Sequence, residues 1–373
     1  MEEKVLFKVH MPASVDEPLL NVLHSGFIGQ GKKVEEFETK LGTYFGNNKV
    51  LTLNSGTSGL HLALKLANVG HGDEVITSAM TCTATNMPIL AAGAKIVWAD
   101  VDPKTGLIDP KDIERKITNK TKAIIMVHFG GIPCEIEAIN KIAKKYGIKT
   151  IEDGAHAFGA EYKGLKIGNH SDFVMFSLQA IKHITTIDGG LLLCKDHSDY
   201  ERGKLLRWYG IDRDAKRQDF RCEEDILEYG FKYHMNDICA TIGIEQLKFV
   251  EEIVSKHIGN QEYYDEALCN VKGLSIIPKP SVSKSSSWLY TIHVEKRELF
   301  MKWMSDQKIM TSRVHERNDI HSAFASSISD LPNLDKFNDT QVSIPVGWWI
   351  SSEDRQYIVS QIKEFSLKIL KYT

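Results

Sequence analysis

The sequence lacks paired cysteines and any long apolar run. Its six cysteines, at positions 82, 134, 194, 222, 239 and 269, form no C-x-x-C pair, so they favour neither a disulfide framework nor a zinc site. No apolar stretch approaches the length needed to span a bilayer, and the charged, proline-broken start MEEKVLFKVHMPASVDEPLL is not typical of a signal peptide. We therefore expect a cytoplasmic protein with no metal site and no membrane partner.

The sequence also lacks an excess of charge of either sign. Its 46 Lys and Arg residues against 49 Asp and Glu residues give a net charge of −3, with 42% apolar and 25% charged residues. This balance is typical of a globular protein and gives no electrostatic reason to bind a polyanion, so no nucleic acid partner is expected. The 373 residues, at about 100 to 200 per domain, predict about two domains with a substantial core.

Strand patterns and helical patterns alternate between residues 49 and 196. Short apolar, β-branched runs are separated by helical patterns such as CEIEAINKIAKKYG, and the loops between them are short. This alternation predicts a doubly wound α/β fold, in which a mostly parallel sheet is covered by helices. The predicted strands are KVLTLN, DEVITSA, KIVWADVD, KAIIMVHFGG, KTIEDGAH, SDFVMFSL and GGLLLCKD.

A second, smaller unit is predicted after this region. One long helix is expected to begin near Asn236 and to run past EQLKFVEEIVSKHI, since Leu247, Val250, Val254 and Ile258 fall on one helical face. Beyond it, GLSIIPKP, WLYTIHVE and QIKEFSLKILKY are typical of an α+β unit. We predict a large ligand-binding α/β domain over residues 1–245, and a linking helix with a small C-terminal α+β domain over residues 246–373.

Three stretches follow predicted strands, where open α/β sheets bind their ligands. The first, LNSGTSGLHLAL, runs from a strand into a helix through Gly56, Thr57 and Ser58. Free N–H groups at a helix start, two hydroxyls and a glycine that permits close approach suit a phosphate. On their own, the same residues also suit an ordinary helix N-cap. The stretch has no G-K-[ST] pair, so a nucleotide P-loop is not supported.

The second stretch, KTIEDGAHAFGA, places a carboxylate at the end of a strand. Asp153 there can meet a cationic ligand, and His156 follows three residues later. In isolation, Asp153 also suits a turn cap and His156 a structural histidine. The third stretch, SLQAIKHITTIDGG, offers the hydroxyl of Ser177 and the amine of Lys182. A solvated surface lysine is the alternative for Lys182.

Taken together, a phosphate cradle, a strand-end carboxylate and a lysine match the requirements of pyridoxal 5'-phosphate (PLP). The cradle holds the phosphate of this cofactor, Asp153 keeps the pyridine nitrogen protonated, and Lys182 forms the Schiff base. A partly desolvated lysine loses basicity, so Lys182 can act first as a nucleophile and then as a proton carrier.

Nearly the whole chain resembles the fold type I, PLP-dependent sugar aminotransferases, the family of perosamine synthase and related enzymes of nucleotide-sugar biosynthesis. The stretches that carry the resemblance are SGFIGQGKKVEEFE, NSGTSGLHLAL, AGAKIVWADVDPKTGLIDP, IEDGAHAFGAEYKGLKIGNHSDFVMFSLQAIKHITTIDGG and GFKYHMNDICATIGIEQL. The resemblance implies that Asp153 pairs with the pyridine nitrogen, that His156 lies near the phenolic oxygen, and that Lys182 is the Schiff-base lysine. The resemblance also implies that Thr57, Ser58 and Ser177 bind the cofactor phosphate.

Three positions distinguish this chain within the family. A related branch of dehydratases carries histidine at the position of Lys182; here the histidine is the next residue, His183, which we interpret as a loop residue. Cys82 stands where relatives usually have an aromatic side chain that stacks on the cofactor ring. We therefore expect a smaller contact between the Cys82 side chain and this ring. Lys232 stands where relatives often have an asparagine that reaches the phosphate of the neighbouring subunit; a solvated lysine is the alternative.

The resemblance implies a homodimer with shared active sites that transfers an amino group from an amino acid, by family habit L-glutamate, to a keto sugar linked to a nucleotide. The product is an amino sugar for a surface polysaccharide such as lipopolysaccharide. Two alternatives stay open: amination of a small phosphorylated ketone, and a PLP-binding regulatory protein without turnover. The weak candidates for sugar contacts are Arg313, His315, His321 and Trp348.

Overall fold

The fold is described from a computed structural model, in which residues 2–216, 219, 225–327 and 329–369 are described. The strands in these ranges are β1 (Val50–Leu53), β2 (Glu74–Ser78), β3 (Lys95–Ala99), β4 (Thr121–Val127), β5 (Lys149–Asp153), β6 (Glu161–Tyr162), β7 (Leu165–Lys166), β8 (Phe173–Ser177), β9 (Gly190–Cys194), β10 (Leu274–Ile276), β11 (Ser283–Lys284), β12 (Tyr290–Val294) and β13 (Gln341–Ile344). Cys222 lies outside the described residues.

The helices in the same ranges are α1 (Asp16–Leu23), α2 (Lys32–Phe45), α3 (Gly56–Leu66), α4 (Thr83–Ala91), α5 (Pro110–Lys116), α6 (Ile136–Tyr146), α7 (His197–Leu206), α8 (Asp237–Leu247), α9 (Val250–Leu268), α10 (Arg297–Asp306), α11 (Pro332–Thr340) and α12 (Ser352–Ile369). Short 3₁₀ helices span Ala13–Val15, Phe129–Gly131, Asn318–Ile320 and Ser322–Ser327. No helix in the described ranges is long and apolar enough to cross a membrane.

The predicted mostly parallel sheet is confirmed. Seven strands, one in each of the seven predicted stretches, form a sheet in the order β1-β9-β8-β5-β4-β2-β3. The pairs β2–β3, β2–β4, β4–β5 and β5–β8 are parallel, whereas β9 is antiparallel to both of its neighbours. Every strand except β9 therefore points its carboxyl end to the same edge of the sheet, and β9 begins at that edge.

Helix α6 illustrates how the sequence pattern produces a covering layer. Ile136, Ile139 and Ala143 recur at helical spacing and are buried, and fully burying a side chain such as Ile139 contributes roughly 1.5 to 3 kcal/mol. The helix ends at Gly147, whose φ of 68° forms a left-handed cap that glycine adopts without steric cost. The apolar face thus fixes α6 on the sheet, and the glycine returns the chain to β5.

The prediction of one continuous helix from Asn236 is wrong, because two helices, α8 and α9, occupy this stretch. Asn236 caps α8, because its side chain accepts a hydrogen bond from the N–H of Cys239. The helix then breaks: the N–H groups of Lys248 and Phe249 bond to carbonyls three residues earlier, a tighter spacing than the four of an α-helix. Helix α9 begins only at Val250. The predicted domain boundary after residue 245 falls inside α8 and stays a prediction.

The C-terminal part of the chain forms a second hydrophobic core. Strands β10, β12 and β13 pair antiparallel in one sheet. Buried side chains of α9, α10 and α12, among them Tyr264, Phe300 and Phe365, pack in one cluster with Ile292 and Ile344 of this sheet. The segment that precedes β12, residues 285–289, instead belongs with the larger core. It therefore brings C-terminal residues to the edge of the large sheet.

Candidate active site

A cavity of about 390 Å³ lies at the edge of the sheet where the parallel strands end. It receives side chains from the turn after β1, the start of α4, the ends of β5 and β8, and the loop between β8 and β9. Its other wall comes from the N-terminal residue Phe7 and from C-terminal residues between 288 and 315. Its volume is within the range of small-molecule sites, and its position is the one expected for ligands of an open α/β sheet.

The turn that leads into α3 forms one end of the cavity. Ser55 caps the helix, since its Oγ accepts the N–H of Ser58 at 3.0 Å, while the N–H groups of Gly56 and Thr57 have no acceptor within the helix. Ser55, Gly56 and Thr57 line the cavity. The Ser58 hydroxyl instead donates to Oδ1 of Asn54 at 2.7 Å, so the contact predicted for Ser58 stays a prediction.

The start of β9 closes tightly against this turn. A Cβ added to Gly190 would lie 2.5 Å from the backbone N of Gly56, a separation that real Cβ atoms do not show. On the adjacent strand end, the Ser177 Oγ accepts the N–H of Gln179 at 3.3 Å. The O–H of Ser177 is left free to donate into the cavity. The turn, the strand end and the helix start thus supply hydroxyl and N–H donors of the kind that bind a phosphate.

Asp153 lies at the end of β5 and is almost fully buried at 3% exposure. The Thr85 hydroxyl donates to its Oδ2 at 2.7 Å, and the N–H of Ala155 donates to its Oδ1 at 3.0 Å. Burial raises the pKa of Asp153, while these two hydrogen bonds and the charge of Lys182 oppose the rise. The carboxylate is therefore fixed in orientation and would gain from a cationic group placed beside it.

His156 is buried and its protonation is set by its neighbours. Its Nδ1 accepts the N–H of Gly130 at 3.3 Å, so a neutral imidazole carries its proton on Nε2. Burial, followed by the charge of Lys182, lowers the pKa of His156 well below its usual value. The Nε2 lies 3.5 Å from Nε2 of His315. His156 is thus a neutral hydrogen-bond donor at the cavity wall.

The Lys182 amine lies at the wall of the cavity, 3.7 Å from the centre of the Trp288 ring. Burial lowers the pKa of Lys182 to about 8, although the charge of Asp153 opposes this change. An amine with a pKa near neutrality is available both as a nucleophile and as a proton carrier. The following residue, His183, lies in the loop and outside the cavity lining; its buried ring donates from Nε2 to the carbonyl of Ser286 at 3.0 Å.

Of the four weak candidates for substrate contacts, the structure brings His315 to the cavity. Arg313 instead forms an ion pair with Glu316 at 2.7 Å, and the Trp348 ring packs edge-on against His10 at 5.2 Å. His321 follows a 3₁₀ helix and does not line the cavity. Their roles stay predictions, with His315 the one that the geometry supports.

Two further positions were singled out in the sequence. Cys82 lines the cavity at the N-cap of α4 and is exposed, so the position predicted to contact a cofactor ring does face the cavity. Lys232 is exposed and does not line the cavity of its own chain. Its backbone carbonyl accepts a hydrogen bond from the Asn54 side chain at 3.1 Å. This bond places Lys232 beside the turn at Gly56 that leads into α3.

Several side chains of the site were not identified from the sequence, among them Thr85, Phe7 and Trp288. Thr85 is the hydrogen-bond donor to Asp153, and its place three residues after Cys82 puts it on the first turn of α4. Phe7 and Trp288 line the cavity and stack on each other with ring centres 5.1 Å apart. Phe7 and Trp288 lie 281 positions apart in the chain, so no local sequence pattern connects either one to the cavity.

Comparisons with known proteins extend over nearly the whole chain. The profile of the DegT/DnrJ/EryC1/StrS aminotransferase family matches residues 12–363. The chain is 38% identical over 362 residues to the UDP-4-amino-4-deoxy-L-arabinose–oxoglutarate aminotransferase of Shewanella sediminis strain HAW-EB3, which covers 92% of this chain and 93% of that protein. It is 30% identical over 363 residues to the spore coat polysaccharide biosynthesis protein SpsC of Bacillus subtilis strain 168, with 93% of each covered.

The fold is shared with solved structures. The crystal structure of the sugar aminotransferase CalS13 from Micromonospora echinospora superposes with a TM-score of 0.93 at 38% identity, over 97% of this chain and 99% of that one. This superposition confirms the predicted fold type I architecture.

Proposed function

The chain belongs to the DegT/DnrJ/EryC1/StrS aminotransferase family, and from this premise we propose that it transfers an amino group to a keto sugar linked to a nucleotide. The observation that carries the proposal is the convergence of Asp153, Lys182 and the turn at Gly56 on one cavity. The printed names of the relatives support a sugar acceptor and a polysaccharide product. We place the reaction in the cytoplasm as part of the same proposal.

The cavity fits PLP, the cofactor on which aminotransferases of this family depend. Thr57, Ser177 and the free N–H groups at the start of α3 would hold its phosphate, and Asp153 would face its pyridine nitrogen. Bound PLP supplies an electron-withdrawing ring that stabilises negative charge beside the transferred nitrogen, and it carries the amino group between the two substrates. The close approach at Gly190 and the hydroxyl at Ser177 are the structural features that agree with this fit.

The residues of this chain then have separate tasks. The buried Asp153 carboxylate supplies a fixed negative charge, which favours a protonated nitrogen next to it. Lys182 holds or releases a proton at Nζ, because its pKa of about 8 lets both forms exist near neutral pH. His156, whose Nδ1 accepts the N–H of Gly130, keeps its proton on Nε2, which faces Nε2 of His315 at 3.5 Å. The buried indole of Trp288, with the half-buried Phe7 stacked on it, forms the apolar wall beside Lys182.

The amino donor and the exact acceptor are finer parts of the proposal. L-glutamate is proposed as the donor, and C3 or C4 of a 3-keto or 4-keto-6-deoxy sugar as the aminated position. A small phosphorylated ketone is the second candidate acceptor. A regulatory PLP-binding protein is the third reading, and the arrangement of Asp153 with a low-pKa Lys182 disfavours it, since binding alone does not require a proton carrier.

A screen of acceptors tests the proposed function. We expect the protein loaded with the amino form of the cofactor to convert at least one nucleotide-linked keto sugar into an amino sugar that mass spectrometry detects. The same protein should leave small phosphorylated ketones unchanged. Conversion of the phosphorylated ketones alone would replace the proposed acceptor class, and no conversion of any ketone together with no spectral change on L-glutamate would support the regulatory reading.

We also propose that the active protein is a homodimer with shared sites. Among the described residues, Lys182 is the one lysine or arginine that lines the cavity, and a lysine needed for proton transfer is poorly suited to neutralise a phosphate. Lys232 is exposed next to the turn at Gly56. The resemblance predicts that the residue at this position contacts the cofactor phosphate of the neighbouring subunit. A lysine from a partner would supply the missing cation as a point charge.

The Lys232→Ala substitution is therefore expected to weaken PLP retention without disturbing the fold. A charge-assisted contact in a closed site contributes roughly 1.5 to 3 kcal/mol, which corresponds to a loss of affinity of about 10-fold to 150-fold, whereas an exposed pair contributes about 0 to 1 kcal/mol. The measurement is the equilibrium dissociation constant for PLP. The matched control is Lys195→Ala, an exposed lysine just beyond the far end of β9, which should leave PLP affinity unchanged.

Mixed dimers test whether Lys232 acts across the subunit boundary. If it does, a dimer of one Lys232→Ala chain and one Lys182→Ala chain has one site with both defects and one site with neither. Such mixtures are expected to regain one active, tightly PLP-binding site per dimer. An unchanged PLP affinity in Lys232→Ala homodimers would make Lys232 a solvated loop residue, and mixtures without regained activity would rule out sharing.

A further inference from the structure

One aromatic side chain contacts two of the titratable groups at the cavity wall. Trp288 is 3% exposed, and its ring centre lies 3.7 Å from the Lys182 Nζ and 3.9 Å from the centre of the His156 ring, with which it is nearly parallel at 20°. Phe7 stacks on the same indole at 5.1 Å. The indole N–H donates to the carbonyl of Ile181 at 3.0 Å. The indole is thus anchored to the residue immediately before Lys182.

The Lys182 ammonium has few alternatives to this ring. Among the described residues it forms no ion pair, and Asp153 acts on it through its charge from farther away. Cys82 on α4 acts on the amine in the same direction as Asp153, and Asp188 lines the same cavity. Burial lowers the pKa values of His156, His183 and His315, so these neutral rings neither repel the ammonium nor pair with it as anions. Beside these longer-range charges, the face of the indole, 3.7 Å from Nζ, is a close contact that favours the charged form of Lys182.

We propose that Trp288 is a positioning residue whose indole face holds the Lys182 ammonium whenever this amine is not covalently bound. The same indole keeps the His156 ring stacked against it. The inference rests on the proposed function, because a transaminase releases its lysine in each turnover. A lysine side chain carries about 2 kcal/mol of rotamer entropy. Without a partner it would sample the cavity instead of staying near the place where it transfers the proton.

The position of Trp288 in the chain also gives it a connecting role. It lies directly before Leu289 and β12, in the segment that brings C-terminal residues to the large core, and it contacts Phe7 from the N-terminal segment. Three distant parts of the chain therefore meet at the Trp288 indole, which contacts Phe7 and the Lys182 amine.

The first test measures the protonation of Lys182 in the full chain without PLP. The rate of acetylation by acetic anhydride is followed against pH by mass spectrometry of the Lys182 peptide. Trp288→Leu removes the aromatic face, and Trp288→Phe keeps an aromatic face; both lose the indole N–H. We expect Trp288→Leu to lower the pKa of Lys182 by about 0.5 to 1 pH unit, and Trp288→Phe to lower it by less than half of that change.

A second measurement keeps the shape of the side chain unchanged. Incorporating fluorinated tryptophan weakens the negative face of the indole with little change in size, so the pKa of Lys182 should fall in the same direction as in Trp288→Leu. This readout remains informative if Trp288→Leu fails to fold. Equal Lys182 pKa values in the unmodified, Trp288→Phe and fluorotryptophan proteins would overturn the proposal.

The failure of this inference and the failure of the proposed function give different results. Borohydride reduction of the PLP-loaded, unmodified protein should attach the cofactor to Lys182, which tests the proposed function alone. If Lys182 is marked but its pKa does not respond to the ring, only the positioning role of Trp288 is wrong. If Lys182 is not marked, the proposed function is wrong, whatever the ring does to the pKa.

Discussion

Replacing Lys182 with alanine is expected to lower the rate of amino transfer at least about 10³-fold, which corresponds to about 4 kcal/mol of activation free energy. The substitution removes the amine that binds the cofactor covalently and carries the proton, and no second lysine among the described residues lines the cavity. The loss should appear in turnover with the substrates found in the acceptor screen. It should be accompanied by loss of the visible absorption that a covalent PLP–lysine link produces.

Two variants show whether this loss is specific to the Lys182 amine. Lys182→Arg retains the positive charge but offers no nucleophilic amine, so it should be as inactive as Lys182→Ala. Lys163→Ala removes an exposed lysine that pairs with Glu137 at the surface and should behave as the unmodified protein. Activity in Lys182→Ala within tenfold of the unmodified rate would remove Lys182 from the chemistry.

The substitution Asp153→Asn is expected to lower turnover by well over tenfold, that is by at least about 1.4 kcal/mol of activation free energy. Asparagine has nearly the same shape and can keep the N–H of Ala155 on Oδ1 while its amide meets the Thr85 hydroxyl. The change therefore removes the negative charge with little change in geometry. The measurement is kcat at saturating donor and acceptor, in protein whose PLP content has been determined.

Thr85→Val provides the matched comparison for Asp153→Asn. It removes the hydrogen bond to Oδ2 of Asp153 but leaves the carboxylate charged, so its loss of turnover should be smaller. If the two variants lose activity equally, the orientation of the carboxylate matters more than its charge. Unchanged kinetics in Asp153→Asn would reduce Asp153 to a cap of the turn that follows β5.

The large sheet was predictable because its strands are buried on both faces. A run such as IIMV in β4 is apolar at every position, and short runs of this kind between helical patterns are typical of parallel strands. The polar ends of β5 and β8 then identified Asp153 and Ser177 as cavity residues. Chain order together with strand direction was sufficient to predict which loops meet at one edge.

The remaining wall of the cavity was not predictable from local patterns. Trp288 and Phe7 reach Lys182 only through tertiary packing, and each one taken alone is an ordinary apolar residue. The break between α8 and α9 was also missed, because Val250 and Val254 continue the buried face that a single helix would have. Apolar periodicity reports which face is buried, but it does not report whether the hydrogen-bond ladder continues along it.

Mapping the covalent attachment of PLP shows whether Lys182 is the residue that binds the cofactor. The unmodified protein is loaded with PLP, reduced with borohydride and digested, and its peptides are analysed by mass spectrometry. We expect one modified residue, Lys182, in the peptide that follows β8, and protection of that residue by the amino form of the cofactor. Stoichiometric modification of a different lysine, or an active protein with Lys182 unmodified, would contradict it.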